Sequence, residues 1–243
     1  MLFTGFSAEA CAFLRQVEDN NSKQWYQENK DRYVRYVKEP YAELIMALSP
    51  LLRDIDKQIV LEPARCLSRI YRDTRFSKCK LLYRSSTWVT FKRQSDDSLA
   101  QPCFYVEFTD CSCDVGMGYW SAKASSMAAY RKMISDDPQA FMKTVAPILR
   151  DRDLSVRGID YQRIPAGCPD VDGIDVWYRK KNVHVSTGNM PPQKAFDSSF
   201  ADFAAEKIRA AAPLYKKLLE VEAHRVDGET VQTKRIIRQE FEW

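Results

Sequence analysis

Histidine is almost missing from this chain of 243 residues, which has only His184 and His224. A histidine base needs a partner, and the alternating stretch Asn182-Val183-His184-Val185 offers none, so His184 reads as a structural residue. Glycine is scarce too, at eight residues, and no G-x-x-x-x-G-K-[ST] phosphate loop occurs. Gly116-Met117-Gly118 is followed by Ser121 where a dinucleotide fingerprint needs Gly or Ala, and there is no G-x-S-x-G elbow. No cofactor is implied. The seven cysteines are odd in number and irregular in spacing, which suits reduced thiols. Cys111 and Cys113, with Cys103 before them, form one C-x-C where a tetrahedral zinc site wants four ligands, so no metal is expected. Long apolar runs are lacking as well. The start, MLFTGFSAEACAFL, has no basic n-region and carries Glu9, which argues against a secretory signal and predicts a cytoplasmic protein with no membrane span.

The residues present make a large core feasible, with 45% hydrophobic and 29% charged side chains. Ser7 is placed to cap a first helix, and Asn20, Asn21 or Ser22 a second that bears Trp25, Tyr26, Tyr33 and Tyr36. Pro40 stops that helix and opens a third, in which Tyr41, Leu44, Ile45, Leu48, Leu51, Leu52 and Ile55 keep helical spacing. From Pro63 to about Trp120 the period shortens to that of strands. Cys66 to Tyr71, Trp88 to Lys92, Cys103 to Thr109 and Cys113 to Tyr119 are the candidates, with Asp96, Asp97 and Ser98 as a turn. Helices return at Ser121 to Ile134 and at Pro138 to Arg150, the latter capped by Asp137. Val176 to Val185 alternates weakly as a strand, and Asp197 caps a last long helix over Phe200 to Val221. The predicted class is α+β: N-terminal helices, a central mainly antiparallel sheet and helices packed on it, including the long C-terminal one. Residues 1–222 are read as one domain, with a helical part at 1–60, a β-rich part at 61–120 and a mostly helical part at 121–222. A polar tail follows at 223–243.

Charge is concentrated in one place. Arg65 to Arg84, RCLSRIYRDTRFSKCKLLYR, holds seven basic side chains against the single carboxylate of Asp73. That is a net +6 in a chain whose total is +4, so everything else sums to −2. Two cations about 4 Å apart repel by ~4 kcal/mol at the effective dielectric of a protein surface, and one aspartate offsets only part of that. The rest is spread into water, paired with acids elsewhere such as Glu107 or Asp114, or balanced by an anion from outside. Arginine's planar fork suits phosphate and carboxylate. Asp73, ringed by cations, is a poor general base and a poor Mg²⁺ ligand, and its role is to orient an arginine. Aromatics interleaved with cations, Tyr71, Tyr83 and Trp88 among them, also suit single-stranded nucleic acid, although the pI near 8.6 is modest for a dedicated binder.

The run Arg69-Ile-Tyr-Arg-Asp-Thr-Arg-Phe-Ser-Lys-Cys-Lys80 follows Asn20-Asn21, Trp25-Tyr26, Lys30 and Tyr33. With Gly116-Met117-Gly118-Tyr119, Arg131 and the Arg163-Ile164-Pro165 turn, it resembles a widespread bacterial and fungal family of conserved hypothetical proteins over roughly residues 1–222. The resemblance implies no activity. Members usually carry Pro-Tyr-Lys after the motif, often with a histidine or another polar residue within two residues, where this chain has Leu82, Tyr83, Arg84, Ser85 and Ser86. A mechanism needing that histidine is not carried over, while Arg84 keeps the charge. The leading expectation is a site for a small phosphorylated or carboxylate ligand. Arg69, Arg72, Arg75, Lys80 and Arg84 would hold the anion, Asp73 would fix an arginine, and Tyr71 or Tyr83 would donate a hydroxyl. Asn21, Trp25 and Lys30 would line the rim. The alternative is a structural or interaction protein with internally paired arginines, one version of it binding single-stranded nucleic acid.

Overall fold

A computed structural model describes residues 2–75, 79–95 and 100–224. Nine helical segments among the described residues are α-helical: α1 (Ala8–Asp19), α2 (Lys23–Glu28), α3 (Lys30–Tyr33), α4 (Glu39–Ile55), α5 (Pro63–Cys66), α6 (Ala124–Asp136), α7 (Pro138–Arg150), α8 (Asp175–Tyr178) and α9 (Ser199–His224). The strands are β1 (Ser86–Phe91), β2 (Pro102–Thr109), β3 (Cys113–Tyr119), β4 (Ser155–Arg157) and β5 (His184–Ser186). They form one sheet in the order β1-β2-β3-β5-β4, with β1 antiparallel to β2 and β4 antiparallel to β5. This is the α+β arrangement that the sequence predicts. No described helix is long and apolar enough to cross a membrane.

The chain divides into two compact units. One comprises Met1–Gln94, Phe104–Gly116 and Thr187–Arg209, the other Ser95–Cys103, Met117–Ser186 and Ala210–Trp243. In the first, the alternation along β1 and β2 sorts side chains onto two faces. Thr87, Val89 and Phe91 with Phe104, Val106 and Phe108 are buried, and Phe6 stacks on Phe108 at 4.4 Å while meeting Tyr41 of α4 edge-on. The Tyr41 hydroxyl donates to the Thr87 carbonyl at 2.7 Å, which satisfies a fully buried phenol. Trp88, Thr90, Tyr105 and Glu107 lie on the opposite, half-buried face. In the second unit, the rings of Tyr130, Phe141 and Trp177 meet edge-to-face in a buried row. The same unit holds His184 in β5, where burial and the charges of Arg157 and Lys180 pull its pKa down to about 4. It is therefore neutral at pH 7, in keeping with a structural role.

Several local expectations need correction. Cys66 to Tyr71 is no strand: Pro63 opens the short helix α5, and beyond it only isolated bridges form, Leu67 with Val89 and Tyr71 with Tyr83. Val176 to Val185 contains helix α8 and then β5, because Trp177 and Tyr178 bury on one helical turn rather than alternating. Helical backbone also runs through to Pro40 without a stop. A π-turn at Val34–Lys38 precedes α4, and the Glu39 N–H reaches back five residues to Val34, so the widened turn absorbs the donor that proline lacks. Asp137 caps α7 by accepting from Ala140, as its position suggests. The turn placed at Asp96, Asp97 and Ser98, most of the tail, and Phe76 and Lys78 of the motif lie outside the described residues.

Candidate anion-binding site

All the candidate residues belong to the first unit. The segment after α5 runs along β1: the Ser68 N–H donates to the Trp88 carbonyl, and the Ser68 hydroxyl accepts from the Trp88 N–H. The chain then pairs with its own return. The Arg72 N–H donates to the Leu82 carbonyl and the Arg84 N–H to the Ile70 carbonyl, both at 2.8 Å, around the Tyr71–Tyr83 bridge. Two backbone bonds are a weak hold for a two-stranded ribbon in water. Asn21 reinforces them. Its amide oxygen accepts from the N–H groups of Leu82 (2.6 Å) and Tyr83 (3.0 Å), and its amide nitrogen donates to the carbonyls of Val17 and Tyr83, both at 3.0 Å. Asn21 thus ties the end of α1 to the return strand.

The Tyr83 ring fixes the ribbon's other face by stacking on Tyr26 of α2 at 4.5 Å, while Tyr71 leans on both. Tyr83 is buried, whereas Tyr71 is 49% exposed. The Tyr83 hydroxyl lies beside Tyr71 but finds no partner at hydrogen-bonding geometry, and burial together with Tyr71 pushes its pKa up to about 12. It stays a phenol throughout the physiological range.

The six cations of the motif among the described residues separate into groups. Arg75 grips Asp73 with both forks, Nε to Oδ1 at 2.9 Å and Nη2 to Oδ2 at 2.8 Å, and its N–H also reaches Oδ1. That pair is exposed and shapes the loop. Lys80 donates to the Thr74 carbonyl across the same loop, and Arg65 is engaged by Gln94. Arg72 sends Nε to the Tyr83 carbonyl at 3.2 Å, leaving the tip of its fork uncommitted, and Arg69 is exposed. Arg84 differs from all of these. Its guanidinium lies 4.9 Å from the centre of the Trp88 ring, and its Nε is buried without an acceptor. Burial and the neighbouring charge of Arg72 hold its pKa below the usual arginine range. Among the described residues no carboxylate pairs with Arg69, Arg72 or Arg84.

The acids considered as internal partners are occupied differently. Asp114 of β3 accepts from the Tyr105 hydroxyl at 3.0 Å and from the Thr187 hydroxyl at 2.9 Å. The Tyr105 ring reaches it by lying across Gly116, where an added Cβ would fall 2.5 Å from the ring, so this strand position needs the missing side chain. Glu107 stands opposite Trp88 in the β1–β2 ladder and makes no hydrogen bond or ion pair among the described residues. Burial, and then the charge of Asp114, push its carboxyl above the usual carboxylate range. The order of residues suggests Glu107 only as a counter-ion; its alternation in β2 puts it on the half-buried face, but its lack of a partner is a tertiary fact.

Of the rim residues Asn21 meets an arginine's acceptor: its amide nitrogen and the Arg72 Nε donate to the same Tyr83 carbonyl. Trp25 stacks on Phe13 at 5.8 Å, and Lys30 lies in α3, exposed. Asn21 acts through the backbone. No group of three or more His, Cys, Asp or Glu residues suited to a metal occurs among the described residues. A family model described as a conserved hypothetical protein (DUF2461) matches residues 9–216, a span containing every residue of the site. No curated protein matches the chain.

Proposed function

The chain belongs to the conserved hypothetical family DUF2461, and since membership brings no activity with it we propose one from the geometry: the protein binds a small phosphorylated or carboxylate ligand at Arg72 and Arg84. The observation that carries this reading is the Arg84 guanidinium, held against Trp88 with a buried Nε that meets no acceptor. A desolvated charged donor left unsatisfied is costly, about 1–3 kcal/mol or more, and an anion at the rest of the fork offsets the charge that no internal group meets. Arg72 adds a second positive charge beside it. Arg69 and Lys80 add to the field that draws the anion in, and Tyr71 offers an exposed hydroxyl. Asp73 neutralises Arg75, so the loop is shaped without consuming the two arginines that matter.

Thermal unfolding and calorimetry with inorganic phosphate, sugar phosphates and nucleoside phosphates test the reading. A ligand at a hundred times its Kd stabilises the folded state by ~2.7 kcal/mol. In a chain of this size that raises Tm by about 5–11 °C, taking 2–4 °C per kcal/mol. Arg72→Gln and Arg84→Gln should abolish most of the shift. No shift at millimolar ligand, or an equal shift in the variants, overturns the proposal. Half-exposed Tyr71 among cations gives the rival reading its support. Single-stranded oligonucleotide binding that falls steeply with salt, in the absence of any small-anion shift, favours that rival.

A further inference from the structure

The proposed anion site occupies one end of the half-buried face of β1 and β2. Directly across the ladder from Trp88 stands Glu107, and over the Trp88 ring stands Arg84. Directly opposed residues of an antiparallel pair project to the same face with Cβ atoms about 5 Å apart. Glu107 and the Arg84 guanidinium therefore share the face on which Trp88 lies. They do not pair with each other, and among the described residues neither has another charged partner. Held apart, they present a negative and a positive pole to whatever covers the face.

We propose, building on the anion site above, that its ligand is dipolar: a small molecule bearing an acidic group for Arg84 and Arg72 and a protonated amine for Glu107, as in an aminoalkyl phosphate or an amino acid. An ammonium is the better complement than a hydroxyl because a cation offsets the charge of the Glu107 carboxylate, which no described cation meets, and a hydroxyl does not. Burial that penalises a bare Glu107 carboxylate is relieved in the same step.

The test uses three probes on the full chain: ethyl phosphate, which has the anion alone, ethanolamine, which has the amine alone, and phosphoethanolamine, which has both. In calorimetry phosphoethanolamine should bind about tenfold more tightly than ethyl phosphate, the change expected from one added charge-assisted contact of ~1.4 kcal/mol. Ethanolamine should bind weakly or not at all. Glu107→Gln should erase the difference while leaving ethyl phosphate affinity intact, and Arg84→Gln should weaken both phosphates together. Equal affinity of the two phosphates for the wild-type protein, or a preference that survives Glu107→Gln, overturns the dipolar ligand and leaves the anion site standing. Failure of both phosphates to bind removes the anion site with it. The Tm of Glu107→Gln, which should not fall, separates loss of recognition from loss of fold.

Discussion

Replacing Asn21 by alanine tests how the candidate site is held. The Asn21 amide uses its full bonding capacity: two N–H groups given to carbonyls, and two backbone N–H groups accepted at one oxygen. A net contribution of about 0.5–1.5 kcal/mol for each bond gives a range of ~2–6 kcal/mol. The site is only partly buried, and water entering the gap restores some of those bonds, which places the loss in the lower part of the range, ~2–3 kcal/mol. At 2–4 °C per kcal/mol, Tm should fall by about 4–12 °C. Denaturant unfolding should give a lower midpoint with an unchanged slope. Hydrogen exchange adds a local readout: the amides of Leu82 and Tyr83 should lose protection more than those of β1 and β2. A loss below ~0.5 kcal/mol, or unchanged exchange at Leu82 and Tyr83, would show that the Tyr26–Tyr83 stack alone holds the ribbon and would refute the clamp. Affinity for phosphate should drop in the same variant, since Arg72 and Arg84 sit on the backbone that Asn21 fixes.

Two further outcomes follow from the half-buried face. Glu107 has its pKa raised in the folded state above an ordinary value near 4.5, so its ionisation destabilises the fold as pH rises past that value, and the cost is complete above the folded-state pKa. Glu107→Gln should therefore raise Tm at pH 7, with the gain vanishing below pH 4.5, where the carboxyl is protonated in both states; a gain independent of pH would contradict an origin in the buried carboxylate charge. Gly116→Ala should displace the Tyr105 ring, break its bond to Asp114 and cost ~1–3 kcal/mol as an overpacked position does. Gly116→Ala combined with Tyr105→Ala should then cost much less than the two single changes added together.

Much of the scaffold is legible without coordinates. The spacing of Tyr41, Leu44, Ile45, Leu48 and Leu52 marks α4, the alternation of Phe104, Val106 and Phe108 marks β2, and Asp137 before Pro138 marks the start of α7, because each signal is local and repeated. The segment Asp175–Tyr178 misleads because four residues are too few for a period to be read. Charge crowding points to the motif, but its internal division does not show in the order of residues. Arg75 is neutralised by a carboxylate two positions away, whereas Arg84 depends on an aromatic four positions on and on what fails to face it. Asn21 looks like a helix-breaking residue beside Asn20, and only the folded chain brings its amide to Leu82 and Tyr83. Glu107 is visible as a charged residue in an alternating strand, yet its isolation is a property of its surroundings.

The span bridged by Asn21 also sets an order of events during refolding. Its backbone partners are 61 and 62 positions away, whereas Asp73 and Arg75 meet across two. Closing the longer loop costs more chain entropy, and contacts of that separation form slowly. The Asp73–Arg75 turn can therefore exist early, in an otherwise open chain, while Arg72 and Arg84 take up their stations only once the first helix has docked. Ligand-competent protein should accordingly appear in the last kinetic phase, later than the bulk of the helical signal.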